Sequence, residues 1–239
     1  MTLDKKKLFK IKGDASFREF YRKIEKSQSS IIIFAKREKK KNLLIYDSIN
    51  KILIKNNLIA PKLINQKYHL NFIEVSDLGK TTALDYIKKN KNKFVIFEKI
   101  IKVLIGLQKI KTKKIKNFHN KLYNVPIYSN KLLFNEAKLF CEWYVPENIK
   151  NNKIKINKKL QIKIKNLLRN LKLKNRILVH RDFHVSNLML FKKKLCIIDS
   201  QDAVIGNEAY DLASLIDDVR YKTSNTFKNK IYDLYFKKK

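Results

Sequence analysis

Residues 177–218 read ILVHRDFHVSNLMLFKKKLCIIDSQDAVIGNEAYDLASLIDD. Two short apolar runs in this stretch, Ile177-Leu178-Val179 and Leu195-Cys196-Ile197-Ile198, stop at His180 and Asp199. Such runs are expected to be buried strands, and polar groups at strand ends can face a cleft. Between them, His180 to Asn187 forms a loop with Asp182 and, five residues on, Asn187. Asp211 then opens a helical pattern, Tyr210-Asp211-Leu212-Ala213-Ser214-Leu215. A lone Asp or Asn in a loop is most often a turn former or a helix cap. Here 55 Lys and Arg stand against 21 Asp and Glu, so Asp182, Asn187, Asp199 and Asp211, four such positions within about thirty residues, look placed for chemistry.

One carboxylate that can take a proton (Asp182), with a carboxamide (Asn187) and a second carboxylate (Asp199) as hard oxygen ligands, is the set that Mg²⁺-assisted phosphoryl transfer requires. The run His180-Arg181-Asp182-Phe183-His184-Val185-Ser186-Asn187 resembles the catalytic loop of the aminoglycoside phosphotransferase and choline kinase group, distant relatives of protein kinases. Asp199-Ser200-Gln201-Asp202-Ala203 and Gly206 with Tyr210 to Leu215 are similar to the branch holding the bacterial N-acetylmuramate/N-acetylglucosamine anomeric kinases. So are Gly13-Asp14-Ala15-Ser16-Phe17-Arg18, Asp77-Leu78-Gly79, and the stretch from Leu133 to Tyr144. The resemblance implies an α+β, protein-kinase-like fold of two lobes, with residues 1–78 a small β-rich lobe and 79–239 a mostly helical one. It implies ATP and Mg²⁺ as cofactors, Asp182 as the catalytic base, Asn187 and Asp199 as metal ligands, and His180 and Asp211 as supports of the catalytic loop. The implied acceptor is a sugar hydroxyl, specifically the anomeric hydroxyl of N-acetylmuramate or N-acetylglucosamine.

For the nucleotide, Gly13-Asp14-Ala15-Ser16 is a turn signal between strand-like runs, and the resemblance puts Gly13, Ser16 and Phe17 over the phosphates. Ile31-Ile32-Ile33-Phe34-Ala35 is a buried-strand candidate followed by Lys36. In kinase-like folds a strand lysine holds the phosphates and pairs with an acidic residue on the next helix. Lys36 is the candidate here, with Asp47 on an expected helix over Lys41 to Asn56. Phe72-Ile73-Glu74-Val75 is expected to be an edge strand leading into a hinge, where Glu74, Val75 and Ser76 would meet the adenine through main-chain groups.

The rest of the chain is expected to be scaffold. Apolar spacing predicts helix from Thr82 to Lys111, loop over 112–132, and an amphipathic helix over Leu133 to Tyr144. Its Phe134, Leu139, Phe140, Trp143 and Tyr144 are expected in the core, with Glu136 and Glu142 free to face the acceptor. A polar loop follows, then Lys158 to Leu171 with one buried face. The chain stops at Phe236-Lys237-Lys238-Lys239, soon after the helix beginning near Tyr210. Relatives of the implied group usually continue through further helices, so a smaller or more open acceptor pocket is expected.

A formal charge of +34 would ordinarily point to nucleic acid or an anionic membrane surface. The basic residues are spread along the whole chain, however, and only seven are Arg (18, 22, 37, 169, 176, 181 and 220) amid abundant Ile and Asn. Coding bias with Lys at solvated positions explains this more simply. A nucleic-acid-binding protein and a degenerate pseudokinase used as a scaffold are the alternative readings. The same charge would repel polycationic aminoglycosides, and no aromatic cluster near the loop suits choline, so a neutral or anionic sugar fits better. No apolar run approaches the ~20 residues of a membrane helix, and the start lacks a signal-peptide core. With two widely separated cysteines, Cys141 and Cys196, a cytoplasmic location without disulfides is expected.

Overall fold

A computed structural model describes residues 8–11, 18–26, 28–35, 41–171 and 173–239. Gly13, Ser16, Phe17 and Lys36 lie outside the described residues. The N-terminal part is one antiparallel sheet of β1 (Leu8–Ile11), β2 (Arg18–Glu25), β3 (Gln28–Ala35), β4 (Leu63–Lys67) and β5 (Phe72–Ser76), in the order β1-β2-β3-β5-β4. The expected edge strand is therefore internal. Ile33 of β3 faces Ile73 of β5, and β4 takes the rim because its Leu63-Ile64-Asn65-Gln66-Lys67 is too polar to be covered on both sides.

Helix α1 (Asn42–Lys55) packs on this sheet, and Ile33, Ala35, Leu43, Tyr46, Ile73 and Val75 form a small core between them. Its C-terminal half, with Ile49, Ile52 and Leu53, belongs to the main core of the C-terminal part. One helix is thus glued into both halves, each fully buried Leu or Ile contributing about 1.5–3 kcal/mol.

The C-terminal core surrounds α3 (Phe94–Gln108), whose Ile96, Phe97, Ile100, Ile101 and Leu104 are all buried. The periodicity from Thr82 to Lys111 is resolved as two helices, α2 (Ala83–Lys89) and α3. Asn90 to Lys93 offers nothing apolar to bury and interrupts them. Thr82 and Asp85 form a reciprocal capping box, Thr82 Oγ1 accepting from Asp85 N at 3.0 Å and Asp85 Oδ2 from Thr82 N at 2.9 Å. Residues 112–132, expected as loop, hold a hairpin of β6 (Lys114–Lys116) and β7 (Leu122–Asn124).

Next come α4 (Asn130–Leu139), a π-helical turn over Phe140–Tyr144, α5 (Val145–Asn148) and α6 (Lys153–Asn170). Two expectations fail here. Leu139, Phe140 and Tyr144 are exposed and Trp143 is 74% exposed, whereas only Cys141 of the π turn is buried. Helix α6 has no buried residue despite its periodic apolar stripe, because it packs mainly against the thin layer of α4, the π turn and α5.

Residues 177–206 fold as β8 (Ile177–Val179), β9 (Leu188–Phe191), β10 (Lys194–Ile197) and β11 (Val204–Gly206), with β9 pairing β10 and β8 pairing β11. After α7 (Ala209–Ile216) a further helix, α8 (Asn225–Lys238), packs Ile231, Leu234 and Tyr235 into the core beside α3. Cys196 and Cys141 are both buried thiols, and burial pushes Cys196 up to about 11. No described helix is long and apolar enough to cross a membrane.

Candidate active site

A cavity of about 550 Å³ opens between the sheet and the β9–β10 hairpin. Its middle is apolar: Ile31 and Ile33 from β3, Val75 from β5, Pro61, and Met189 and Ile198 from the hairpin side. Ser76, Asp77, Leu78 and Gly79 close one end. At this hinge Arg22 Nε donates to Asp77 Oδ2 at 2.6 Å and its Nη2 to Gly79 O at 2.7 Å. Burial alone would lift the Asp77 carboxyl, but Arg22, the Gly79 N–H and Ser29 hold it below the usual range. Gly79 sits at φ +91°, a conformation that a side chain resists, so glycine is needed for this turn.

The predicted adenine contacts divide. Val75 and Ser76 line the cavity, whereas the Glu74 side chain accepts from Ser30 Oγ at 2.5 Å and from Lys23 Nζ at 3.4 Å and does not line it. Asp47 likewise does not line the cavity: it pairs with Lys51 one turn on at 2.8 Å, and burial raises its carboxyl. The α1 residues directed at the site are Tyr46, in the cavity wall, and Asn50, whose Oδ1 accepts from Ser200 Oγ at 2.7 Å.

Asn187 and Asp199 line the other end. Both flank the hairpin, Asn187 entering β9 and Asp199 two residues past β10, so pairing of Ile197 with Leu188 brings them together. Ile198 N donating to Asn187 O at 3.1 Å completes the closure. Asn187 Nδ2 donates to Asp182 O at 3.0 Å and lies 3.2 Å from His184 Nε2, which accepts its second proton. That arrangement uses both amide protons and leaves Oδ1 for another partner. Burial, with Arg220, lowers the His184 ring below its ordinary value, the direction that favours accepting. Asp182 itself is exposed.

The loop before Asp182 is held from below. Asp211, buried on α7, accepts from His180 N at 2.7 Å and Arg181 N at 3.0 Å, one bond per carboxylate oxygen. His180 is buried, which lowers its pKa, and its Nε2–H donates to Ile198 O at 3.0 Å. Arg181 has φ +76° and Asp199 φ +61°, left-handed conformations that cost non-glycine residues energy and persist where surrounding contacts over-determine them. Arg181 ion-pairs with Glu136 of α4, which also accepts from Tyr128 Oη. Glu136, expected to face the acceptor, is thus engaged with the His180–Asn187 loop, and Glu142 pairs with Lys138 at 3.0 Å.

One contact was not anticipated. Arg18 at the head of β2 donates from Nη2 to Asp199 Oδ1 and from Nη1 to Gln201 Oε1, both at 2.7 Å. Arginine scarcity was the available signal: in a chain whose solvated positions are filled with Lys, an Arg marks a place where a planar fork is used.

The donor set suits Mg²⁺. Among the described residues no cluster of three His, Cys, Asp or Glu could enclose a metal, but Mg²⁺ takes one or two protein oxygens and completes its shell with phosphate oxygens and water. Asn187 Oδ1 and the Asp199 carboxylate are two such oxygens at one cavity end.

A sheet-rich lobe over a helical lobe, with the cavity between them and the His180–Asn187 loop at its mouth, defines a protein-kinase-like phosphotransferase fold. The chain belongs to the phosphotransferase enzyme family (APH), whose profile it matches over residues 8–236. It is 29% identical over 211 residues to an N-acetylmuramate/N-acetylglucosamine kinase of Neisseria meningitidis serogroup B, covering 86% of this chain and 60% of that protein. Against a kinase of the same name from Pseudomonas putida it is 29% identical over 207 residues, covering 86% and 58%. The chain therefore spans about 60% of the length of these curated relatives. Among solved structures, an aminoglycoside phosphotransferase in a ternary complex with streptomycin and ATP superposes with a TM-score of 0.67 at 16% identity, covering 99% of this chain and 83% of that one.

Proposed function

We propose that this protein is an ATP- and Mg²⁺-dependent kinase that transfers the γ-phosphate to a sugar hydroxyl, the anomeric hydroxyl of N-acetylmuramate or N-acetylglucosamine. The observation that carries the reading is the meeting of Asn187 and Asp199 at the polar end of an inter-lobe cavity whose middle is apolar, with Asn187 bonded to the main chain of Asp182. The apolar slot between Ile31, Ile33, Val75 and Met189 suits a purine. Asp182, exposed at the mouth, accepts the proton of the acceptor hydroxyl and orients it in line. Asn187 ties to the Asp182 main chain, so base and ligand are set by one loop, and Asp211 fixes that loop before substrate arrives. A bound Mg²⁺, held by Asn187 and Asp199, would neutralise charge on the phosphate oxygens. The amino-sugar acceptor is supported by the names of the relatives and by the charge of +34, which disfavours polycations.

The test is ADP release by the purified chain with ATP, Mg²⁺ and each of N-acetylmuramate, N-acetylglucosamine, choline and an aminoglycoside. Activity confined to the amino sugars is expected. Asp182→Asn is expected to lower turnover by about 10²–10⁴-fold, the span of a lost general base, with nucleotide affinity unchanged. Wild-type turnover in that variant would remove Asp182 as the base, and activity only on choline or aminoglycosides would overturn the acceptor.

A further inference from the structure

Strand β2 sends Arg18, Phe20 and Arg22 to the cavity, alternate residues on one face, and paired β3 sends Ile31 and Ile33. The cavity wall contributed by β3 is therefore apolar, and the cations of the described wall come from β2 and the hinge: Arg18, Arg22 and Lys80. They are not equivalent. Arg22 is held at the hinge end, bridging Asp77 and the Gly79 carbonyl. Lys80 is exposed beside it. Arg18 alone of the three meets Asp199, at the end where Asn187 also lies.

Arg18 is 8% exposed, and its setting is built. Gln201, buried, takes one arm of the guanidinium at 2.7 Å. The Gln201 amide is itself oriented, Nε2 donating to Asp202 Oδ2 at 2.7 Å, so Oε1 is the atom turned to Arg18. The Phe20 ring lies 5.5 Å from the guanidinium carbon. The second arm rests on Asp199, the residue that a metal-bound nucleotide would engage.

A polyphosphate entering this end meets the Asp199 carboxylate, which repels it, and needs a cation that the wall can supply at once. A guanidinium forks onto two oxygens of a phosphate as readily as onto a carboxylate. We propose that Arg18 of β2 is the nucleotide-phosphate ligand of this protein, filling the role that a β3 lysine has in protein kinases, with its ion pair to Asp199 as the ligand-free resting contact. Gln201 is the positioning residue that keeps the guanidinium in the cavity when Asp199 is given up. The inference rests on the kinase reading above and specifies how that site holds its nucleotide.

The test is calorimetric titration of the full chain with ADP and with adenosine, for wild type, Arg18→Gln and Arg18→Lys, alongside thermal melts. Arg18→Gln is expected to weaken ADP by about ten- to a hundredfold, the worth of one charge-assisted hydrogen bond. Adenosine affinity should stay within about twofold, since the apolar slot is untouched. Should Arg18→Gln fail to fold, Arg18→Lys decides. A single ammonium cannot fork, so ADP should weaken several-fold with adenosine unchanged. Equal losses for ADP and adenosine in a folded variant would mean a structural role and overturn the proposal, as would ADP binding at wild-type strength. Wild type binding neither ligand would overturn the kinase reading itself, and this inference with it.

Discussion

At the residue scale the loop that carries Asp182 is held by Asp211. Its two oxygens take the consecutive N–H groups of His180 and Arg181, which stabilises the left-handed φ of Arg181. Burial pushes its carboxyl up to about 7, even though both hydrogen bonds pull the other way. Because the folded value lies above the ordinary 3.8, the folded state keeps a proton over a range in which the unfolded chain has lost it. That stabilisation is complete below about 3.8 and is lost as the pH rises through about 7. Replacing Asp211 by Asn points an NH₂ at a main-chain N–H and should cost about 1–3 kcal/mol, the penalty of one orphaned buried donor. Urea melts of wild type and Asp211→Asn at intervals from pH 5 to 8 should show the wild-type advantage narrowing as pH rises. A gap that widens would reverse the assignment of the proton. Arginine is the other residue-scale lesson: Arg18, Arg22, Arg181 and Arg220 all meet carboxylates, although only seven of the chain's 55 basic residues are Arg.

At the element scale the β9–β10 hairpin sets the spacing between Asn187 and Asp199. Its two-residue turn, Lys192-Lys193, has φ +49° and +63°, the mirror-image geometry that favours Asn-Gly and that two lysines adopt at a cost. Lys192 recovers a little by lying 5.4 Å from the centre of the Phe191 ring. Substituting Asn-Gly for Lys192-Lys193 should therefore stabilise the protein, by about 1 kcal/mol net of that lost contact. The check is a higher urea midpoint with an unchanged slope. A lower midpoint would show that the lysines' contacts outweigh the turn strain.

At the scale of the whole molecule, the helices from α4 to α6 form a thin layer that leaves large apolar groups in water. Trp143 is the chain's single tryptophan and is 74% exposed, which makes this layer observable. Its emission should resemble that of free tryptophan and be strongly quenched by iodide. The +34 charge draws the anion in, so added salt should weaken the quenching. Blue-shifted emission resistant to iodide would mean that the layer is covered in solution.

Local pattern determined a good deal by itself. The strands ending at His180 and Asp199, the helix of Asn42–Lys55 and the loop carrying Asp182 and Asn187 were legible because apolar period and polar punctuation agree there. Tertiary structure decided what local pattern cannot encode. The amphipathic stripe of α6 marks a face without saying how deeply it is covered, and no residue of α6 is buried. Strand order made β5 internal and β4 the edge, since rank in a sheet depends on long-range pairing. Arg18 and Asp199 stand 181 residues apart, and no spacing rule joins them. The packing of α1 against both halves, with Asn50 bonded to Ser200, brings the sheet onto the β9–β10 hairpin, where that contact forms.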